Sequence, residues 1–376
     1  MTPPTPNRPS PPIPLETLRV HSADGIGIHV EIHGNPDGPT VVLSHGWTCS
    51  IRFWWPVIAE LAADYRLVAY DQRGHGGSER PGPDQYSVPA LVADLVAVLD
   101  AAAGPDQVIL VGHSMGGMTV MAAGPDESVR ARTRAILLAS TGAHGLAGRS
   151  NLVPGRFLAG LLVRRMLRDP TPLGRRTWLS TRMLAYGTLG PKPGRALAAE
   201  NATIIHACPR HTRAGWGRVI EVLDVREGMA ALTAPTAVLV GTVDRLTPPW
   251  HAEELAGNLA NLHSKTVLPK VGHMSPMERP GVVAALVRGL DAATAASGAV
   301  GAEASATDTA PAPVPAAAAT SSAADVGVSQ ADATPVVVAV AAADDSAPEA
   351  AAEAAAAISA VSGAPIVPAA ANPQSE

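Results

Sequence analysis

The sequence predicts an α/β fold: a mostly parallel central sheet flanked by helices, with a helical insertion at residues 145–228. Three observations point there. From Leu15 to about Asp291, short apolar runs of strand length alternate with segments of helical spacing. The runs are continuous rather than alternating, as suits strands covered on both faces. From about Gly145 to Val225 no strand pattern remains, only helical periodicity.

The elements follow in order. Leu18–Val20 and Ile26–His33 read as an opening hairpin around Asp24-Gly25. Thr40–Ser44 is a short apolar strand, Phe53–Ala63 a helix and Leu67–Tyr70 a buried strand. Val88–Ala102 carries Leu91, Leu95, Val98 and Leu99 at helical spacing. Gln107–Gly112 is a strand, Met115–Ala123 a helix and Arg134–Ala139 a strand. After the insertion, Thr236–Gly241 and Lys265–Pro269 are strands and Gly281–Ala292 a closing helix.

This divides the chain into five parts. Residues 1–14 are Pro-rich and expected to be disordered. Residues 15–144 and 229–291 form the two halves of the core, with the insertion, read as a helical cap, at 145–228. Residues 292–376 are Ala-rich with no Lys or Arg, and are also expected to be disordered, since small side chains bury too little surface to offset chain entropy. The insertion is strongly basic, from Arg149 and Arg156 through Arg182 and Arg195 to Arg218, with Asp169 and Glu200 as its acids before Glu221.

Bulk composition narrows the function. A net charge of −5 offers no argument for nucleic acid as a partner. Cys49 and Cys208 have no CxxC or HxxxH neighbourhood, so they read as two free thiols and no metal site is expected. No GxxxxGK[ST] motif, and no GxGxxG following a strand, suggests a nucleotide, so no cofactor is expected. The N-terminal residues have no apolar signal-type region and no run is long enough to span a membrane, which favours a cytoplasmic location.

The strongest chemical signal is Gly112-His113-Ser114-Met115-Gly116-Gly117, a G-x-S-x-G sequence between a strand and a helix. A serine on so tight a turn stands clear of the sheet, and the glycines relieve the crowding. A serine hydroxyl needs a base. Asp244 follows one late strand and His273 follows the last, giving the order Ser, Asp, His at strand C-terminal ends. His273 is therefore the expected general base and Asp244 the residue that orients it. Asp224 is a rival acid but precedes its strand. In Ser44-His45-Gly46-Trp47, the main-chain N–H of Trp47 can join that of Met115 to cradle an oxyanion. The Trp47 side chain reads equally as pocket wall or packing. His45 and His113 sit beside the site and are expected to shape its substrate pocket. Asp71-Gln72-Arg73-Gly74-His75-Gly76-Gly77-Ser78 reads as structural, its polar side chains holding a glycine-rich loop.

These motifs resemble the α/β-hydrolase superfamily over about residues 20–290, and in particular its serine-nucleophile branch with bacterial aryl esterases and cofactor-free haloperoxidases. The resemblance implies the α/β-hydrolase fold and an acyl-enzyme on Ser114 with a small-molecule ester as substrate. Perhydrolase and carbon–carbon hydrolase chemistry are alternatives, although the latter branch commonly has Asn where this chain has His113. Relatives with an aspartate nucleophile are disfavoured because position 114 is serine. A non-catalytic ligand-binding member would not need all three residues. The basic insertion adds the expectation of a weak contact with an anionic lipid surface. Oligomeric state is not legible.

Overall fold

The computed structural model describes residues 12–146, 150, 164–165, 167–171, 173–306 and 336–339. Strand β1 (Glu16–His21) and β2 (Gly27–Gly34) form the opening hairpin, closed by the Ser22 and Gly25 turn bonds. β3 (Thr40–Ser44), β4 (Arg66–Tyr70), β5 (Val108–His113), β6 (Thr133–Ala139), β7 (Thr236–Gly241), β8 (Leu262–Leu268) and β9 (Val336–Ala339) complete a sheet ordered β1-β2-β4-β3-β5-β6-β7-β8-β9. β1, β2 and β4 pair antiparallel, and every other neighbour is parallel. Crossing from β3 to β4 on one side and β5 on the other reverses the direction of winding. That reversal places the loops after β3 and β5 side by side at the C-terminal edge, where open α/β sheets hold their sites.

Successive strand residues point to opposite faces, so each strand feeds two cores. Val42, Val68, Leu110, Ile136 and Val238 face one cluster, packed under α2 (Val88–Ala102) and α3 (Met115–Ala122). Val41, Leu43, Leu67, Val111 and Leu239 face the other, covered by α1 (Trp55–Leu61) and a long closing helix. This two-sided burial is why the strand sequences run apolar without alternation.

Some described helices lack an apolar stripe clear enough to be read from sequence. α4 (Glu127–Arg132) is a short helix capped by Asp126, whose carboxylate accepts the Val129 N–H at 3.1 Å. The helix Pro249–Asn258 starts from consecutive prolines. Within the insertion, α5 (Trp178–Thr188), α6 (Arg195–Ala207) and α7 (Arg210–Val222) are the expected helices. A single antiparallel bridge, His144 to Asp224, brings the two ends of the insertion together. Across the expected end at residue 228, α8 (Arg226–Ala230) lies beneath α3, where a Cβ on Gly228 would fall onto the Met121 carbonyl. In chain order the remaining helices are α9 (the Pro249–Asn258 helix), α10 (Ser275–Glu278) and α11 (Pro280–Ala306).

Past residue 292, within the tail expected to be disordered, α11 continues to Ala306, and Val336–Ala339 adds β9 to β8. Ala is the best helix former and Val suits a pleated edge, so both segments follow local preference. The rest of that expectation, with residues 1–11, lies outside the described residues.

Candidate active site

Ser114 lies between β5 and α3 with φ +50° and ψ −117°, a conformation costly for a residue with a Cβ. Close packing leaves the turn no alternative. A Cβ on Gly112 would stand 2.6 Å from the Gly117 Cα, and one on Gly116 would fall onto the Ser44 carbonyl oxygen. The Ser114 N–H donates to the Ala139 carbonyl at 3.1 Å, and Thr141 Oγ1 donates to the Ser114 carbonyl at 2.7 Å.

Asp244 and His273 approach from the ends of β7 and β8. His273 Nδ1 lies 2.9 Å from Asp244 Oδ2 and 3.1 Å from Oδ1. A carboxylate only accepts, so Nδ1 carries the hydrogen and Nε2 keeps its lone pair. Asp244 is itself fixed by the N–H groups of Leu246 and Thr247, both at 2.9 Å, and by Thr247 Oγ1, which donates to Oδ2 at 2.9 Å. Asp224 is elsewhere, exposed and paired with Arg226. Ser114 and His273 line one largely apolar cavity of about 290 Å³, along with Trp47, Met118, Leu184 and Ile220. Among the described residues no hydrogen bond joins Ser114 to His273 directly.

The loop after β3 abuts this serine. A Cβ on Gly46 would lie 3.0 Å from Ser114 Cβ and 2.7 Å from His113 Nδ1. Neither the Trp47 nor the Met115 main-chain N–H donates to another described residue. The Trp47 side chain both lines the cavity and donates Nε1–H to the Arg213 carbonyl of α7 at 3.0 Å, tying core to insertion.

The two flanking histidines part company. His113 lines the cavity and donates Nε2–H to the His273 carbonyl at 2.9 Å. Burial drives its pKa well below the ordinary histidine value. His45, expected with His113 to shape the substrate pocket, is fully buried and does not line the cavity. Its Nδ1–H donates to the Gly46 carbonyl at 2.8 Å and its Nε2 accepts the Gln72 N–H at 3.1 Å. Desolvation holds it neutral, with a pKa of about 4. His45 supports the loop from behind.

The glycine-rich block beyond β4 is a scaffold, as its composition suggests. Asp71 accepts the Ile51 N–H at 2.7 Å and the Gly77 N–H at 2.8 Å. The fully buried Arg73 donates Nε–H to Asp94 at 2.7 Å and Nη1–H to Asp24 at 2.8 Å.

A family model described as the alpha/beta hydrolase family matches residues 41–286, more than half of the chain, and includes Ser114, Asp244 and His273. The chain belongs to the alpha/beta hydrolase family. RutD of Variovorax paradoxus (strain S110), which carries a carbamate-hydrolase name, is 30% identical over 254 residues, 65% of this chain and 89% of that protein. The 3-oxoadipate enol-lactonase 1 of Acinetobacter baylyi is 26% identical, covering 71% of this chain and 93% of that enzyme. Among solved structures, the esterase RhEst1 of Rhodococcus sp. ECU1013 is similar with a TM-score of 0.61 and 25% identity, over 73% of this chain and 98% of that one.

Two residues of this alpha/beta hydrolase site escape sequence reading. Thr247 orients Asp244; its signal was the Asp-x-x-Thr spacing, a turn in which the acid caps the N–H three residues on. Glu278 accepts the Gly272 N–H at 2.9 Å and the Gly190 N–H at 2.8 Å, joining the His273 loop to the end of α5. Burial raises its pKa. Nothing local marks Glu278, because one of its partners lies 88 residues away. The described residues contain no cluster of His, Cys, Asp and Glu fit for a metal. Cys49 and Cys208 are free and buried, and desolvation pushes the Cys208 thiol up to about 12. No described helix is long and apolar enough to cross a membrane.

Proposed function

We propose that this chain is a serine hydrolase of carboxylic esters, working through an acyl-enzyme on Ser114. The observation that carries the reading is His273, held 2.9 Å from Asp244 and sharing the wall of one largely apolar cavity with a serine on a strained turn. His273 Nε2 takes the Ser114 proton as Oγ attacks the acyl carbonyl. Asp244 holds the imidazole in the required tautomer and stabilises the imidazolium. The Trp47 and Met115 N–H groups receive the oxyanion. The imidazolium returns its proton to the leaving alcohol. Water then enters, loses a proton to His273 and releases the acid. Every step uses groups of the chain itself. The mostly apolar lining favours an uncharged acyl group, and the guanidinium of Arg213, a cation on that wall, already donates to the Asp169 and Thr171 carbonyls.

The test is hydrolysis of p-nitrophenyl esters of increasing acyl length by wild type and Ser114→Ala. Wild type should turn them over with an optimum set by the cavity, and the variant should lose roughly a thousandfold or more in kcat. A folded wild type that cleaves none of them sinks ester hydrolysis. Peracid formation from acetate and peroxide then becomes the next assay. Failure of a serine-directed phosphonate to label Ser114 would instead leave a ligand-binding member without catalysis.

A further inference from the structure

Large apolar side chains left exposed are few among the described residues. Apart from Ile13 and Leu15 near the N-terminal end, and Val222, they gather in one segment: Leu173, Trp178, Leu179, Met183 and Tyr186. Trp178 is 75% exposed and Met183 67%, values at which neither contributes much to holding the fold. Monomeric surfaces rarely group such residues without something to meet them.

The same segment is cationic. Arg175, Arg176 and Arg182 are interleaved with the apolar side chains and exposed. On α5 the positions 178, 182 and 186 stand one above another, giving a Trp-Arg-Tyr row. The Arg182 guanidinium lies 5.8 Å from the Trp178 ring, and that of Arg245 lies 4.2 Å from the Tyr186 ring. This row forms one wall of an open groove of about 990 Å³ between α5 and α6, whose other walls bring Lys192 and Arg195. No Asp or Glu lines it. Glu200, the acid of α6, is turned onto Arg52. The patch adjoins the catalytic cavity, since Leu173 and Met183 line that cavity as well.

We propose that this face is a docking surface for an anionic lipid bilayer, seated over the mouth of the Ser114 cavity. Charge complementarity selects an anionic partner, and the side-chain chemistry selects a bilayer. Trp and Tyr settle where an apolar phase meets a wet one, Leu and Met enter the acyl boundary, and Arg and Lys meet phosphate oxygens. A polyanion such as nucleic acid would use the cations and leave Leu179 and Met183 in water. If the ester-hydrolase reading holds, on which this clause rests, the substrate class becomes acyl esters drawn from the lipid phase past Leu173 and Met183.

The test is co-sedimentation of the full chain with vesicles of phosphatidylcholine alone, and with vesicles of phosphatidylcholine mixed with phosphatidylglycerol, at low and high salt. Wild type should sediment with the mixed vesicles and be released by salt. Two variants separate the contributions: Trp178→Ala with Leu179→Ser, and Arg182→Ser with Lys192→Ser and Arg195→Ser. All five positions are exposed, and none lines the Ser114 cavity. Each variant should bind mixed vesicles at least about tenfold more weakly, since one cation near an anionic surface is worth about fivefold in partitioning and the Trp178→Ala, Leu179→Ser variant loses two large side chains that would be buried in the acyl boundary. Both should hydrolyse a short water-soluble p-nitrophenyl ester as wild type does. Wild type that stays in solution with mixed vesicles at low salt overturns the proposal, and so do variants that bind as wild type binds. Sedimentation requires no turnover, so binding without hydrolysis leaves docking standing and removes only the ester reading.

Discussion

Single side chains decide where protons sit around Ser114. His45, His75 and His113 are buried, and desolvation holds all three neutral, His45 at about 4, His75 at about 3 and His113 well below the ordinary value. In the unfolded chain each returns to about 6.5, so the unfolded state takes up protons first as pH falls. Stability is therefore whole near neutrality and is lost progressively from about pH 6.5 downward, towards the folded values. Calorimetric Tm measured from about pH 8 to 4 should show this decline, and His75→Gln should make it shallower. An unchanged slope in the variant would assign the decline to other groups. Thr247 acts on one bond. Thr247→Val keeps the shape and removes the hydroxyl that donates to Asp244, and should lower kcat roughly tenfold with KM little changed. A variant that alters KM alone would place Thr247 in substrate binding instead.

At the scale of elements, the site depends on how closely backbones approach. α3 can start where it does because Gly116 passes against the Ser44 carbonyl at the end of β3. Gly116→Ala should therefore cost about 1–3 kcal/mol, read from the denaturant midpoint, and should reduce hydrolysis as the turn shifts. The strands and this turn were legible in sequence because their causes are local: apolar runs for burial on both faces, and glycines where no Cβ fits. α4 and α9 were not legible. Only Val129 of α4 is buried, so no stripe marks it, and α9 buries His251, Ala252 and Leu255 among polar neighbours. The strand Val336–Ala339 was equally hidden, because pairing with β8 is a partnership across about seventy residues of chain.

At the scale of the molecule, Arg73 is the residue on which separate parts converge. Its guanidinium joins Asp94 of α2 to Asp24 of the opening hairpin, and its carbonyl accepts the Trp216 Nε1–H of the insertion at 3.1 Å. Burial pushes the Asp94 carboxyl up even beside that guanidinium. Arg73→Met should therefore strand a buried carboxylate and cost about 3–5 kcal/mol, measured by chemical denaturation. Arg73→Lys should not restore it, since an ammonium cannot bond both oxygens of Asp94 while also reaching Asp24. A small loss in Arg73→Met would mean that Asp94 is relieved by protonation or by water.

The order Ser114, Asp244, His273 was set by sequence alone, and so were the two-faced sheet and the helical character of the insertion. Each follows from side-chain period, turn chemistry or position at a strand end, all properties of short segments. Tertiary structure alone decided that His45 supports a loop while His113 reaches the cavity, although the two stand alike beside their motifs. It decided that Glu278 ties the His273 loop to α5, and that exposed Leu173 and Met183 of the insertion line the cavity. Those outcomes depend on which distant surfaces meet. Burial and desolvation are properties of the meeting, not of either segment.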